Sequence, residues 1–213
     1  MGRVNIRSGR GHPGGERPGR RRSEQSRLAI LTAAYELVAE VGYARLTIEG
    51  IAARAGTGKQ TIYRWWPSKF EILMDTFLED AAGALEIPDT GTAAGDLRHH
   101  LRQLAAFLSG EPAGQVMLAL IGQAQQDAGI ARAFQQRFLD ERRALDRTIL
   151  ERAAARGDIR ADTDLDLVID MIYGPVYHRV LLTGLAVDDS FIDGLVGHVM
   201  ASVAAPAAAP AAG

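Results

Sequence analysis

The chain contains no cysteine. That excludes disulfides, cysteine nucleophiles, iron–sulfur clusters and thiolate zinc sites together, and it fits a reducing, cytoplasmic setting. Long apolar runs are missing too. The longest, Val116 to Ile121, is far too short to span a bilayer, so no membrane is expected as a partner. The Arg-rich N-terminus has no apolar stretch behind it and does not read as a secretory signal. No Gly-x-Ser-x-Gly or His-Glu-x-x-His motif occurs, and no Ser/His/Asp constellation stands out, which argues against an enzyme. Lysine is nearly missing, with 2 Lys against 22 Arg. With abundant Ala and Gly, that bias suggests GC-rich coding, so arginine richness alone means little.

What is present is ordinary in bulk and uneven in distribution. A length of 213 residues, 47% apolar and 23% charged, suits one large globular domain or two small ones. The net charge of −2 hides an asymmetry. Residues 1–69 hold 13 Arg and Lys against 5 Glu, while residues 70–213 hold 11 against 21 acidic residues. A basic first third joined to an acidic remainder suggests a nucleic-acid module attached to something else, although scattered solvated charges would give the same sums.

The ends carry little apolar content. Residues 1–22 are Gly, Pro and Arg, and the last ten, 204–213, are almost all Ala and Pro; both are expected to be disordered. Between them the apolar spacing predicts an all-α protein of about nine helices. Ser23 can cap a first helix with Leu28, Leu31, Tyr35 and Val38 on one face, and Thr47 can cap a short second. A third runs from about Gly58 to Trp65 and is stopped by Pro67. Ser68 and Glu71 form a capping box for a fourth, with Phe70, Leu73 and Phe77 inward. A polar stretch at 87–94 resembles a joint. Beyond it, helical stripes follow through Leu97 to Leu108, Met117 to Ile121, and Phe134, Phe138, Leu145 and Ile149. The last two helices are expected to start at capping boxes, Thr163 with Asp166 and Ser190 with Asp193.

The segment Ala55–Leu73, AGTGKQTIYRWWPSKFEIL, holds two competing signals. Gly-Thr-Gly-Lys could cradle a nucleotide phosphate. A phosphate loop, however, needs Gly where Ala53 stands, a hydroxyl residue where Gln60 stands, and a strand where a helix precedes it. The alternative is two short helices joined by a tight turn, with Gly56 supplying the left-handed corner. On the second helix Lys59 and Tyr63, and Gln60 and Arg64, lie four apart on the outward side, while Ile62 turns inward. Gln60 could pair with adenine, and Lys59 or Arg64 with guanine. Trp65 and Trp66 could form a stacking platform for single strands, but adjacent residues point about 100° apart, and Trp66 belongs to the core. The glycines therefore read as a turn, and the lysine points at a duplex.

The stretch LTIEGIAARAGTGKQTIYRWWPSKFEIL resembles the DNA-binding domain of the tetracycline-repressor (TetR/AcrR) family of bacterial transcription regulators. The resemblance covers about Arg27 to Leu73. It rests on Thr47, Ile51-Ala52, Ala55-Gly56, Thr61-Ile62-Tyr63 and Pro67-Ser68-Lys69. It implies an all-α homodimer with a helix-turn-helix domain at 23–69 and a larger helical regulatory and dimerisation domain at 70–203. By position, Thr47, Tyr63 and Lys69 would hold phosphates, and Lys59, Gln60, Thr61 and Arg64 would face the groove. Gly58 departs from the Ser often found capping the recognition helix. Arg20, Arg21 and Arg22 could be a minor-groove arm or merely a solubilising tail.

In the remainder only the helical layout persists. Two final helices with apolar faces suit an intermolecular four-helix bundle, with Leu167, Pro175, Arg179, Leu182, Leu195 and Val199 as interface candidates. A ligand cavity among the central helices would be lined by Phe107, Met117, Phe134, Phe138, Met171 and Tyr177, with Gln123 and His178 as polar contacts. His99, His100 and His198 lack carboxylates at ligand spacing, so neither a metal nor a cofactor is expected. The expected function is a homodimeric repressor that binds palindromic double-stranded DNA and is released by a small-molecule effector. The alternative is an architectural protein that coats DNA with little sequence preference.

Overall fold

Apolar residues recurring every three or four positions do produce helices here. The structure, a computed structural model, describes residues 18–110 and 113–205. Its helices are α1 (Pro18–Arg45), α2 (Ile48–Arg54), α3 (Lys59–Tyr63), α4 (Lys69–Ala84), α5 (Ala93–Ser109), α6 (Ala113–Ala124), α7 (Ala128–Phe134), α8 (Asp140–Arg156), α9 (Leu165–Tyr177) and α10 (Asp189–Val203). Two π-helical turns, Gln135–Leu139 and His178–Thr183, continue α7 into α8 and extend α9. Taken as continuous runs, the helical residues fall into nine among the described residues, although α1 is kinked at Gly42, whose φ of 73° and ψ of 164° are not helical; the only extended pairing there is an isolated bridge between Ile159 and Ala204. The all-α expectation holds.

The chain forms two compact units: Met1–Ala84 with Leu108–Phe134, and Leu85–Phe107 with Gln135–Gly213. This division differs from the expected boundary at residues 69–70, because α4, α6 and α7 pack in the first unit.

In the first unit α1 lays Ile30, Leu31, Ala34, Tyr35 and Val38 against α4 and α6, where Leu73, Phe77, Val116 and Leu120 are buried with them. Each of the Leu, Ile, Val and Phe side chains among them contributes roughly 1.5–3 kcal/mol by leaving water. The Phe77 and Phe134 rings sit 6.4 Å apart. α1 starts earlier than its Ser23 cap suggested. Proline at the first helical position loses no bond, since that N–H would be unpaired anyway, and Pro18 occupies that place. Residues 18–22, expected to be disordered, are therefore helical; residues 1–17 lie outside the described residues.

In the second unit α8 and α9 pack together, as do α9 and α10. The starts of α9 and α10 differ from expectation. Asp164 caps α9, accepting from the amides of Asp166 and Leu167, and Asp188 caps α10, accepting from Phe191. Asp164, next to Thr163, and Asp188, two residues before Ser190, take the cap instead with their two-oxygen carboxylates. Gly157 ends α8 at a φ of 79° in the left-handed region. Pro175 stands inside α9, where it has no N–H for the helical bond one turn back.

A closed ring of polar side chains crosses three helices of this unit. Arg142 donates Nε and Nη2 to Asp146 Oδ1, at 2.9 and 2.6 Å, and Nη1 to the Leu85 carbonyl at 2.8 Å. The Tyr173 hydroxyl donates to Asp146 Oδ2 at 2.5 Å and lies 2.7 Å from His100 Nε2. Its proton being committed, Tyr173 accepts from Nε2–H, which leaves His100 Nδ1 to face Arg142 Nη2 at 3.5 Å. Burial pushes His100 down to about 4, so the ring holds a neutral imidazole.

Candidate nucleic-acid interface

The helix-turn-helix is assembled from short-range chemistry. Thr47 takes extended backbone, and its Oγ1 accepts from the Gly50 amide at 3.0 Å, capping α2. That leaves the hydroxyl proton of this exposed residue free to donate outward. Gly56, at a φ of 64°, turns the chain between α2 and α3. Ile51, Ile62 and Trp66 are buried and anchor the pair to the core. Trp66 is also fixed by its indole Nε1, which donates to Asp75 at 2.7 Å. Gly58 precedes α3 without a side-chain cap, as its lack of a hydroxyl requires.

With Ile62 inward, Lys59, Gln60, Tyr63 and Arg64 are all exposed and Thr61 is half-buried. The sequence-predicted groove residues thus share the outward side of α3. Tyr63 is half exposed and Trp65 lies over Trp66, ring centroids 5.9 Å apart, so one indole of the pair faces out and one in.

Lys69 is placed differently from a freely extended phosphate contact. Its Nζ donates to the carbonyls of Tyr43 and Leu46, both at 2.9 Å, and stands 4.2 Å from the centre of the Tyr43 ring. Partial burial lowers its pKa. It first serves the segment between the Gly42 kink and α2. Lys59 also has a partner that the sequence did not reveal: its Nζ donates to Glu49 Oε1 at 2.9 Å. A ten-residue separation across a turn carries no periodic signal, so nothing in the sequence flagged Glu49. The side chains of Arg20, Arg21 and Arg22 lie outside the described residues.

The candidate pocket residues divide between the units. Met117 and Phe134 are buried and Gln123 half-buried in the first; Phe107 and Phe138 are buried in the second. Tyr177 stacks on Tyr173 at 5.9 Å. Met171 and His178, by contrast, are exposed, because the face of α9 turned inward is that of Val168, Ile169, Ile172 and Val176. Among the interface candidates Leu167 and Leu182 are exposed, at 55% and 77%, and Pro175, Arg179 and Leu195 are half-buried. Arg179 lies over the Phe191 ring at 3.8 Å. Val199 is buried within its own unit, in the α10 stripe with Ile192, Val196 and Val203, so it has no free surface to offer a partner.

Two short helices about a glycine turn, the second with an outward row of cations and hydrogen-bonding side chains, define a helix-turn-helix DNA-binding protein. The comparisons with known proteins give the family. Residues 30–75 match the family of bacterial regulatory proteins called the tetR family, and residues 87–199 match its tetracyclin repressor-like C-terminal domain. The chain is similar to the HTH-type transcriptional regulator YdeS of Bacillus subtilis, 40% identical over 142 residues, 67% of this chain and 71% of that one. It is 34% identical to an HTH-type transcriptional regulator of Mycobacterium bovis over 130 residues, 61% of this chain and 63% of the relative, less than two thirds of its length. The crystal structure of the TetR-family regulator SCO0332 superposes with a TM-score of 0.71 at 37% identity, covering 84% of this chain and 98% of that one. The chain belongs to the tetR family of DNA-binding transcription regulators.

Proposed function

We propose that the protein is a homodimeric, ligand-responsive repressor, not an enzyme, acting in the cytoplasm on a palindromic operator. The observation that carries this reading is the outward row of Lys59, Gln60, Tyr63 and Arg64 on α3, beside the free hydroxyl donor of Thr47. Thr47, Tyr63 and the spare N–H of Lys69 hold phosphates and set the register; Lys59, Gln60, Thr61 and Arg64 read base edges in the major groove. Two such helices in a dimer meet half-sites about 35 Å apart.

Dimerisation is supported by α9 and the turn that follows it, where Leu167, Met171 and Leu182 expose apolar surface. Gly174, Gly194 and Gly197 have open space around them, which suits the close approach of a partner helix. No single helix among the described residues is long and apolar enough to cross a membrane. A small molecule releases DNA only in so far as it binds the released conformation better than the DNA-bound one.

Selection from a random duplex pool, with the wild type and with Gln60→Ala and Lys59→Ala, tests the reading. An inverted repeat whose preference relaxes in both variants is the expected result. Salt-sensitive binding with no preferred sequence overturns it in favour of an architectural role.

A further inference from the structure

Glu49 and Lys59 stand at the starts of the two helices of the DNA-binding motif. Glu49 lies in the first turn of α2, and Lys59 is the first residue of α3. Their 2.9 Å contact is made between side chains that are 63% and 53% exposed, so it faces the same solvent as the rest of the outward row. The hydrogen bond raises Lys59 and lowers Glu49 from their ordinary pKa values, so both are fully charged near neutrality. Arg64, the cation that caps the end of α3, has no ion pair among the described residues. The two cations of the recognition helix therefore meet DNA in different states: one already neutralised, the other free.

That difference matters because indiscriminate DNA binding is electrostatic. It draws on whatever cations are available to displace counterions from phosphates. An exposed ion pair in water is weak, so a duplex can compete for Lys59. Taking it, however, leaves the Glu49 carboxylate unpaired and facing a polyanion. A phosphate offers two anionic oxygens, but they stay hydrated and exchangeable with salt, and the phosphate charge itself stands against the released carboxylate. A guanine edge is neutral: it presents N7 and O6 to the ammonium inside a groove from which water is expelled, without setting a further anion against Glu49.

We propose that Glu49 is a positioning and specificity-determining residue: it withholds the Lys59 ammonium from phosphates in general and yields it to the cognate base edge. The proposal rests on the DNA-binding reading of α3 given above.

The test uses the full chain and compares its affinity for the selected duplex with that for a scrambled duplex of equal length, at several salt concentrations. Glu49→Gln should bind the scrambled duplex about tenfold more tightly, with a salt slope steeper by about one, and the selected duplex only about twofold more tightly. The specificity ratio then falls about fivefold. Glu49→Asp separates geometry from charge, since it keeps the carboxylate on an arm one methylene shorter and so weakens the 2.9 Å contact; it should lose specificity as the glutamine variant does. In a Lys59→Ala background, adding Glu49→Gln should change the ratio less than twofold. Melting temperatures measured alongside show that each variant is folded.

An unmoved ratio in Glu49→Gln overturns the proposal, and so does a wild-type ratio in Glu49→Asp, which would make Glu49 a bulk charge only. An undiminished effect without Lys59 does the same. If the wild type itself prefers no duplex, the DNA-site reading fails and takes this proposal with it; if the preference is there and the ratio stays put, this proposal fails alone.

Discussion

Lys69 donates to the carbonyl oxygen of Tyr43 at 2.9 Å while its ammonium stands 4.2 Å from the centre of that residue's ring. One side chain thus ties down the segment that follows the Gly42 kink, through the carbonyls of Tyr43 and Leu46, and covers the aromatic surface beside them. Charged hydrogen bonds of this kind contribute about 2 kcal/mol together with the ring contact. Lys69→Met should therefore lower the unfolding free energy by about that amount in urea, with an unchanged slope. Loss of DNA affinity with full stability would show that the contact carries nothing, and that Lys69 serves the duplex alone.

Thr47 combines two roles that a pair of substitutions separates. Its oxygen accepts from Gly50 and caps α2, while its hydroxyl proton is free for a phosphate. Thr47→Ala removes both and should cost about 1 kcal/mol of stability as well as DNA affinity. Thr47→Asp keeps the cap and turns a negative charge toward the duplex, so stability should be retained while DNA affinity falls more than in the alanine variant. Calorimetry and a binding titration on the same samples decide it; equal affinities for the two variants would argue against a phosphate at this position.

His100 gives the second unit a stability that depends on pH. The ring is faced by Arg142 and Asp146 from α8, by Tyr173 from α9 and by His99 on its own helix. Its pKa falls from 6.5 unfolded to about 4 folded, chiefly because burial disfavours the imidazolium. Between those values the unfolded chain binds more protons, so stability is whole above pH 6.5 and declines as pH falls toward 4. The decline amounts to about 3 kcal/mol. His100→Gln should begin less stable at pH 7 and lose less between pH 6.5 and 4.5. Urea unfolding across that range measures it, and equal slopes for the two proteins would remove His100 as the cause.

How far the sequence discloses this molecule depends on the range of the interactions involved. The helix-turn-helix is local: the Thr47 cap, the Gly56 corner, the inward Ile62 and the division between Trp65 and Trp66 all follow from spacing and residue type, and all are found where expected. The interior of the second unit is not local. Leu145 is expected inward on a continued stripe but is 40% exposed. The π turn at Gln135–Leu139 takes an additional residue into its circuit and sets the following face back, which brings Arg142 and Asp146 inward instead. Their spacing of four was the only trace of the ring, and an Arg–Asp pair at that spacing usually marks a solvated face. His100, which no sequence spacing ties to Arg142, closes the ring from a helix about forty residues away. Caps resolved only to within a residue or two, since adjacent hydroxyl and carboxylate side chains compete for the same amides.

The placement of Trp65 and Trp66 has an optical consequence. They are the only two indoles in the chain, and both belong to the DNA-binding motif, one exposed and one buried against Asp75. Indole emission, separable from that of the five tyrosines by excitation at the long-wavelength edge, therefore comes from a single address. A duplex arriving at α3 changes the surroundings of Trp65 directly, while a small molecule lodged in the second unit lies in the unit that holds no indole. Any spectral shift that such a molecule produces is light from one unit reporting an event in the other, with no dye attached.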